Sequence, residues 1–496
     1  MQKKILLLNP NKWGRGITPI WIASHSSILK KNGFDVKLFD CTFYKDWSDF
    51  EIKINTENNQ FQETDYLENI TYNKSSVLID LEKTVKEYKP DIIFWSALSS
   101  HIHGEGEYIN IEYGHQLVSK LKEFNGIKVC GGIQVTANSE KTFNKLNNID
   151  YLIGGESELV LNEITKSYPD IEKIKEINGV NFYEYKTKKF IKNKKQKIID
   201  NLDIITPYDY SIFDKQVFLR PYNGKVIKAI DYEISRGCVY TCSYCVETII
   251  QRYYDFKDYN KNGTLKNFKS YLRNKSAKKI FAEIKNLNKN LGIKLFRCQD
   301  TNFLTINRSM LNELAEYILS SNLDIKLYIE TRAEGINETT IELLKKLKVD
   351  GIGMGLELSD QNFREKNLNR YVNQEKIETA FKLLKNANIK RTAYNIIGLP
   401  NQSEESIIET IKFNIKINPD VSSVAFYSKY DGTDLTKQAK ENFEEFPTGM
   451  DAQIRSKIIN HRISSDLLNF YKKNFNKLIK NNLLNIEMLK KSCNVS

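Results

Sequence analysis

Short apolar runs alternate with amphipathic stretches over the first 168 residues. The runs at 3–8, 34–39, 91–96, 126–130 and 149–153 read as strands, while 20–31, 77–88, 114–124 and 140–146 carry apolar residues at helical spacing. Strands that alternate with helices pair in parallel, so this half predicts a Rossmann-like, doubly wound sheet. Between residues 44 and 76 the chain turns polar and loses its period, which reads as an insertion or long loop beside the sheet. Residues 178–200 alternate like a short hairpin and then run basic. Pro207 and the Tyr/Asp cluster behind it mark a connector.

A second series begins near Val226. Strands are expected at 230–235, 293–298, 325–331, 351–356, 391–397 and 421–427, with helices at 277–290, 310–320, 339–348, 374–388 and 404–417. Six β/α alternations suggest a partial (β/α)6 TIM-like barrel, shorter than the usual eight, whose rim gathers residues distant in sequence. Amphipathic pieces at 458–470 and 475–489 read as a helical cap over the barrel mouth. The expected organisation is α/β: a doubly wound domain over 1–170, a hairpin and linker over 171–225, a barrel over 226–435, and a helical C-terminal region over 436–496.

Composition narrows the function classes. Of 496 residues, 41% are hydrophobic and 11% aromatic, which supports a folded chain with ample core. No run of 18 apolar residues occurs, so no membrane-spanning helix is expected. The apolar run near the N-terminus is too short for a signal peptide, which points to the cytoplasm and to seven reduced cysteines rather than a disulfide scaffold. The net charge of +12 invites a nucleic-acid reading, yet half of it falls within 451–496 and reads as a solvated tail helix. Nucleic acid is therefore not the expected partner.

Residues 235–247 read SRGCVYTCSYCVE, with Cys238, Cys242 and Cys245 in a C-x3-C-x2-C spacing directly after the first barrel strand. Thiolate is the soft ligand that iron–sulfur clusters take, and three thiolates leave one iron of a four-iron cube open to a small molecule. Structural zinc takes four ligands, and no second cysteine pair exists here: Cys41, Cys130, Cys298 and Cys493 are scattered. A zinc knuckle or three chance structural cysteines are the bland alternatives.

At these residues the chain resembles the radical S-adenosylmethionine (SAM) superfamily. The resemblance implies a 4Fe–4S cluster on Cys238, Cys242 and Cys245, and SAM on the open iron, cleaved reductively to a 5′-deoxyadenosyl radical. It places Tyr244 near the adenine. The stretch GIGMGLELSDQNFREKNLNR is similar to a fourth-strand segment of the cobalamin-dependent branch, with Leu358 inserted before Ser359, and makes Glu357 and Arg370 candidates for SAM contact. The run from Tyr394 to Pro400 resembles the fifth-strand G-x-I-x-G-x-P segment, with Tyr394 or Asn395 in place of its first glycine, and brings Asn395 and Gly398 toward adenine. KYDGTDL, residues 429–435, resembles the closing P-x-x-G-T-x-L without its proline.

The N-terminal half carries matching pieces. Ser96 and Leu98 follow the third strand, Gly131 and Gly132 the fourth, and GGESE with Gly155 and Glu156 the fifth; cobalamin-binding domains use S-x-L and G-G at two of these places. The D-x-H-x-x-G motif that supplies a lower imidazole to cobalt reads here Asn9-Pro10-Asn11-Lys12-Trp13-Gly14, so the lower ligand is expected not to be a histidine. Asn11 and Trp13 take those places, Trp13 either packing under the corrin or stapling the loop. His101 and His103 lack a third ligand nearby and read as a surface loop.

Together these pieces resemble the cobalamin-binding branch that includes class B methyltransferases. The resemblance implies methylation of an unactivated carbon of a small-molecule or peptide substrate, with an external electron donor such as flavodoxin or ferredoxin. Alternatives are a non-methylating cyclase or rearrangement enzyme with the same cofactors, an RNA-modifying enzyme, and a non-catalytic sensor. In the barrel, Glu330 and Glu357 stand either at the site or in rim salt bridges, with Arg332 the obvious partner. Asp300 and Asn302 stand either toward substrate or as helix caps.

Overall fold

The computed structural model describes residues 2–58, 62–96, 107–427, 429–440, 462–483 and 486–492. Ile5 to Leu8 and Ile92 to Trp95 are completely buried, as strands covered on both faces must be. They form the middle of a seven-stranded sheet ordered Asp35–Asp40, Lys4–Asn9, Ile92–Trp95, Ile127–Cys130, Tyr151–Ile153, Val180–Glu184 and Lys189–Lys192. The first five strands are parallel. Ile5 and Leu7 pack with the helix Ile20–Lys31 on one face; Leu6 and Leu8 pack with Val77–Tyr88 on the other. This is the expected doubly wound arrangement.

Three local expectations change. The hairpin Val180–Glu184 and Lys189–Lys192 is not a linker but adds antiparallel to this sheet. The polar stretch 44–76 holds a helix, Glu51–Glu57, and a short turn, Tyr66–Asn69. The helix expected at 114–124 is Glu107–Val118, because Gly114 is not its start: a Cβ there would lie 2.3 Å from the Trp95 ring, so the glycine lets the helix press onto the strand.

The second sheet runs Val421–Phe426, Lys390–Ile397, Val349–Glu357, Lys326–Thr331, Leu295–Cys298, Lys225–Tyr232 and Leu219–Tyr222. Six strands are parallel, and Leu219–Tyr222 pairs antiparallel at the edge, so the curled half-barrel starts before Val226. The connector is buried rather than loose. Tyr208, Tyr210, Phe213, Val217 and Phe218 belong to one apolar core with Ile5 of the first sheet and Phe296 of the second.

The longer C-terminal helix among the described residues is Ser465–Lys480, followed by the short Ile486–Ser492; it is capped by Ser464, which accepts from Leu467 N at 3.2 Å. Its apolar side, Leu467, Leu468, Tyr471, Phe475 and Leu478, packs on Ile407 and Ile411 of Glu404–Ile417 and on Val424 and Phe426. It therefore covers the outer face of the last barrel strand, not the mouth, and it runs unbroken through the gap expected between 470 and 475. Among the described residues no helix is long and apolar enough to cross a membrane.

Candidate active site

The cysteine loop leaves the rim of the first parallel barrel strand. Asp300 shapes its entry, accepting from Ile234 N at 3.1 Å and from Ser235 N and Oγ at 2.5 Å each. Burial raises the Asp300 carboxyl to about 7 against these hydrogen bonds. Gly237 turns the chain at φ +98°, where a Cβ would stand 2.6 Å from the Tyr271 carbonyl oxygen. Gln251, on the following helix Glu247–Tyr253, donates to the carbonyls of Cys238 and Tyr240 at 2.9 and 3.0 Å. Ser243 is clamped between Leu368 and Leu435 by backbone hydrogen bonds. The loop is held on every side before any ligand enters.

Cys238, Cys242 and Cys245 line one cavity with Tyr244, Glu330, Arg332, Glu357, Arg370 and Tyr394. Arg332 Nη1 donates to Cys242 Sγ at 3.3 Å, and Tyr240 N to Cys238 Sγ at 3.4 Å. Burial, with Glu247 nearby, pushes the Cys238 thiol up to about 12; a bound cation reverses that tendency and holds the thiolate. Tyr244 OH donates to Glu357 Oε1 at 2.8 Å, and Arg370 Nη1 faces the same oxygen at 3.7 Å. Gly355 leaves room for both partners, since a Cβ there would lie 2.2 Å from Glu357 Oε1.

A second cleft opens between the rims of the two sheets. Ser96, Gly132, Thr136, Gly155 and Glu156 line it from the first sheet, and Glu233, Arg236, Arg273 and Gln299 from the barrel side. Arg236 ties the two together: its Nη2 meets Glu158 Oε1 at 2.5 Å and Glu233 Oε1 at 2.7 Å, and its Nη1 meets Glu156 Oε1 at 3.3 Å. Burial works against charge on Glu158, yet Arg236 holds it at about 2. Thr301 lines both cavities.

Residues 232–413 match the family model of the radical SAM superfamily. Most of the barrel thus matches that superfamily's domain. The anaerobic magnesium-protoporphyrin IX monomethyl ester cyclase of Rubrivivax gelatinosus is 25% identical over 457 residues, 89% of this chain and 71% of that protein. An uncharacterized methyltransferase of Pyrococcus horikoshii is 25% identical over 366 residues, 73% of this chain and 72% of its own length. Among solved structures, the radical SAM methyltransferase TsrM of Kitasatospora setae, with cobalamin and a [4Fe-4S] cluster bound, superposes with a TM-score of 0.63 at 14% identity, over 89% of this chain and 78% of that one. The cobalamin-dependent SAM radical enzyme OxsB, with aqua-cobalamin bound, gives 0.59 at 16%, over 88% and 55%. These likenesses extend the shared fold beyond the radical SAM domain to the N-terminal sheet.

The donor set fits a cluster. Three thiols line a cavity, Cys238 and Cys242 buried and Cys245 half-buried, one already receives a guanidinium hydrogen bond, and Arg370 Nε, buried in the same wall, has no hydrogen-bond partner among the described residues. No three His, Cys, Asp or Glu side chains among the described residues gather around a single metal ion; a multi-iron cluster needs its ligands spread wider than that.

Other expected residues are placed differently. Asn395 belongs to the cavity wall, but its side chain turns to the helix side, where Asn414 Nδ2 donates to its Oδ1 at 2.8 Å and its own Nδ2 donates to the Ser423 carbonyl at 3.1 Å. Tyr394, its neighbour, projects into the barrel instead. Gly398, at φ +75°, lies outside the wall and bonds Gln402. Gly131 backs onto Phe94, and only Gly132 reaches the cleft.

Asn11 is spent inside its own loop, on the Arg15 carbonyl, Thr42 Oγ1 and Trp13 N, and Trp13 lies beneath the Arg15 guanidinium. Neither lines the cleft. Leu98, His101 and His103 lie outside the described residues, as does Cys493.

Arg332 pairs with Glu334 and Cys242 rather than with Glu330, which receives Tyr394 OH at 3.3 Å. Asn302 braces Thr331 and Arg332, and the helix cap is Asn307. The residues missed from sequence are Arg236, Tyr253 and Tyr254. The last two cover the glycines of GGESE: a Cβ on Gly155 would meet Tyr254 OH at 2.5 Å, and that hydroxyl accepts from Glu156 N at 2.8 Å.

Proposed function

We propose that this chain is a cobalamin-dependent radical SAM enzyme that cleaves SAM reductively and methylates an unactivated carbon of its substrate. The observation that carries the reading is the adjacency of the two cavities. Thr301 belongs to both, and the run Arg236-Gly237-Cys238 passes from the wall of one into the wall of the other. Substrate at that junction would stand between a radical source and a corrin. The bound groups named for TsrM and OxsB support the same assignment.

When bound, the cluster, SAM and cobalamin supply one-electron scission of a sulfonium bond and a transferable methyl group. The chain supplies the rest. Cys238, Cys242 and Cys245 would hold the iron, and Arg332, which donates to Cys242 Sγ, would offset thiolate charge there. Arg370 and Glu357, both buried and locked through Tyr244, would present a cation and an acceptor to a zwitterionic ligand. Ser96 and Gly132 offer small surfaces at strand ends, where a flat ring system could approach backbone.

Ring formation without methyl transfer is the second reading, favoured by the cyclase relative that spans 89% of the chain. Anaerobic reconstitution with iron, sulfide and cobalamin tests both. A product heavier by about 14 mass units means methyl transfer, and an oxidised cyclic product of unchanged carbon count means cyclisation. SAM cleavage by Cys242→Ala protein would overturn both.

A further inference from the structure

The geometry points to residues 254–272 as the docking surface for an acidic one-electron carrier protein that reduces the cluster. This rests on the radical SAM reading above and names the partner of that site. After the helix Glu247–Tyr253 the chain makes a long excursion before the short strand Arg273–Asn274, with only the turn Phe268–Ser270 as regular structure. Excursions of that length inside a compact domain carry function more often than not.

The excursion lies directly on the cysteine loop. Thr241 N donates to Gly263 O at 3.0 Å, Leu265 N donates to Val239 O at 2.8 Å, and Tyr240 pairs with Thr264 as an antiparallel bridge. Asn369 pins the arrangement from beside it, donating to Thr241 O at 2.9 Å, and a Cβ on Gly263 would stand 2.8 Å from the Asn369 carbonyl oxygen. Gly263 and Leu265 face inward and are buried. Lys257, Lys261, Lys266, Lys269 and Phe268 face solvent. One layer of backbone thus separates the cysteine loop from an exposed basic surface with an aromatic residue on it.

The charges on that surface are available. Asp255 is engaged by Lys195 and Lys257 at 3.0 Å each, which leaves Asp258 as the other acid of the excursion. Lys261, Lys266 and Lys269 have no ion-pair partner among the described residues. Each SAM cleavage takes one electron from the cluster into the sulfonium bond. One electron must therefore return, from a reduced carrier that is oxidised by one as the cluster is reduced by one. Electron transfer weakens steeply with distance, so a carrier works best where the cover is thin, and unpaired lysines steer an acidic one there.

The test uses the reconstituted full chain with two reductants, flavodoxin hydroquinone and dithionite, and reads 5′-deoxyadenosine formation. Flavodoxin-driven formation by wild type should fall as salt rises, while the dithionite-driven rate should not. In Lys261→Glu/Lys266→Glu/Lys269→Glu protein, the flavodoxin-driven rate should drop by about tenfold or more with the dithionite-driven rate retained. The same charge reversal at Lys186, Lys188 and Lys189, exposed residues at the hairpin turn outside the excursion, should change neither. A salt-independent wild-type flavodoxin rate, an unaffected triple variant, or an equal loss from the hairpin variant would each overturn the proposal. Absence of dithionite-driven cleavage in wild type would instead overturn the radical SAM reading beneath it.

Discussion

Arg236 and Glu158 are joined across the two sheets by a 2.5 Å ion pair, and Arg236 stands two residues before the first cysteine of the site. Glu156, Glu158 and Glu233 meet Arg236 and Arg273 where the rims touch, with Tyr254 beside Glu156. Fixing the cysteine loop against the N-terminal sheet therefore falls to a buried charge network, and such networks specify geometry more than they add stability.

Arg236→Gln leaves Glu156, Glu158 and Glu233 facing one another without their shared cation. Losing one partner of a buried pair costs about 3–5 kcal/mol, so a clear drop in melting temperature is expected. The cysteine triad is untouched, so the cluster should still assemble and cleave SAM. Product should fall more than 5′-deoxyadenosine does, raising the ratio between them by about tenfold. Equal losses of both would mean that Arg236 supports the fold alone.

Arg332→Gln removes a charged donor from Cys242 Sγ while sparing the ligand itself. Hydrogen bonds and nearby positive charge to cluster sulfur stabilise the reduced state. The midpoint potential, followed by electron paramagnetic resonance during a redox titration, should move negative by roughly 60 mV if the interaction is worth a factor of ten. Arg332→Lys should recover part of the shift.

Gly353 and Tyr394 should behave as a pair. A Cβ on Gly353 would lie 2.5 Å from the Tyr394 ring, whose hydroxyl is held by Tyr328 OH at 2.8 Å. Gly353→Ala should destabilise by about 1–3 kcal/mol through overpacking. Adding Tyr394→Leu should return much of that loss, a non-additivity that denaturation of the single and double variants would measure.

Asp300 makes stability depend on pH in an unusual direction for a carboxylate. Its folded pKa is raised to about 7, so as pH rises the unfolded chain loses this proton first. The native state then holds the extra proton, and stability falls across roughly pH 4 to 7, levelling above. Asp300→Asn keeps an acceptor for Ile234 and Ser235 but has nothing to ionise. Its melting temperature relative to wild type should rise steadily over that window.

Much of this was legible in the chain because periodicity and burial coincide. The helix Glu404–Ile417 and the strands flanking it carry their apolar residues where packing requires them, and their limits could be read almost to the residue. The cysteine triad could be read because its spacing is local. What escaped depends on partners far away in sequence. Gly154 and Gly155 looked like an approach for ligand, but Tyr253 and Tyr254, about a hundred positions on, occupy the space. Glu330 and Arg332 looked like a pair, but Arg332 stands just past the strand end and turns to Glu334 and Cys242, while Glu330 meets Tyr394. Asn395 was judged by motif, whereas the side-chain direction of its strand gives the barrel interior to Tyr394.

The core that runs from Ile5 through Tyr210 and Val217 to Phe296 bears on any attempt to dissect the molecule. Cutting between the two sheets would strip the connector from one half and expose an apolar face on the other, so neither fragment should survive alone in solution. The two halves are separate in topology and inseparable in folding, and a working enzyme must be inherited, expressed and engineered as a single piece.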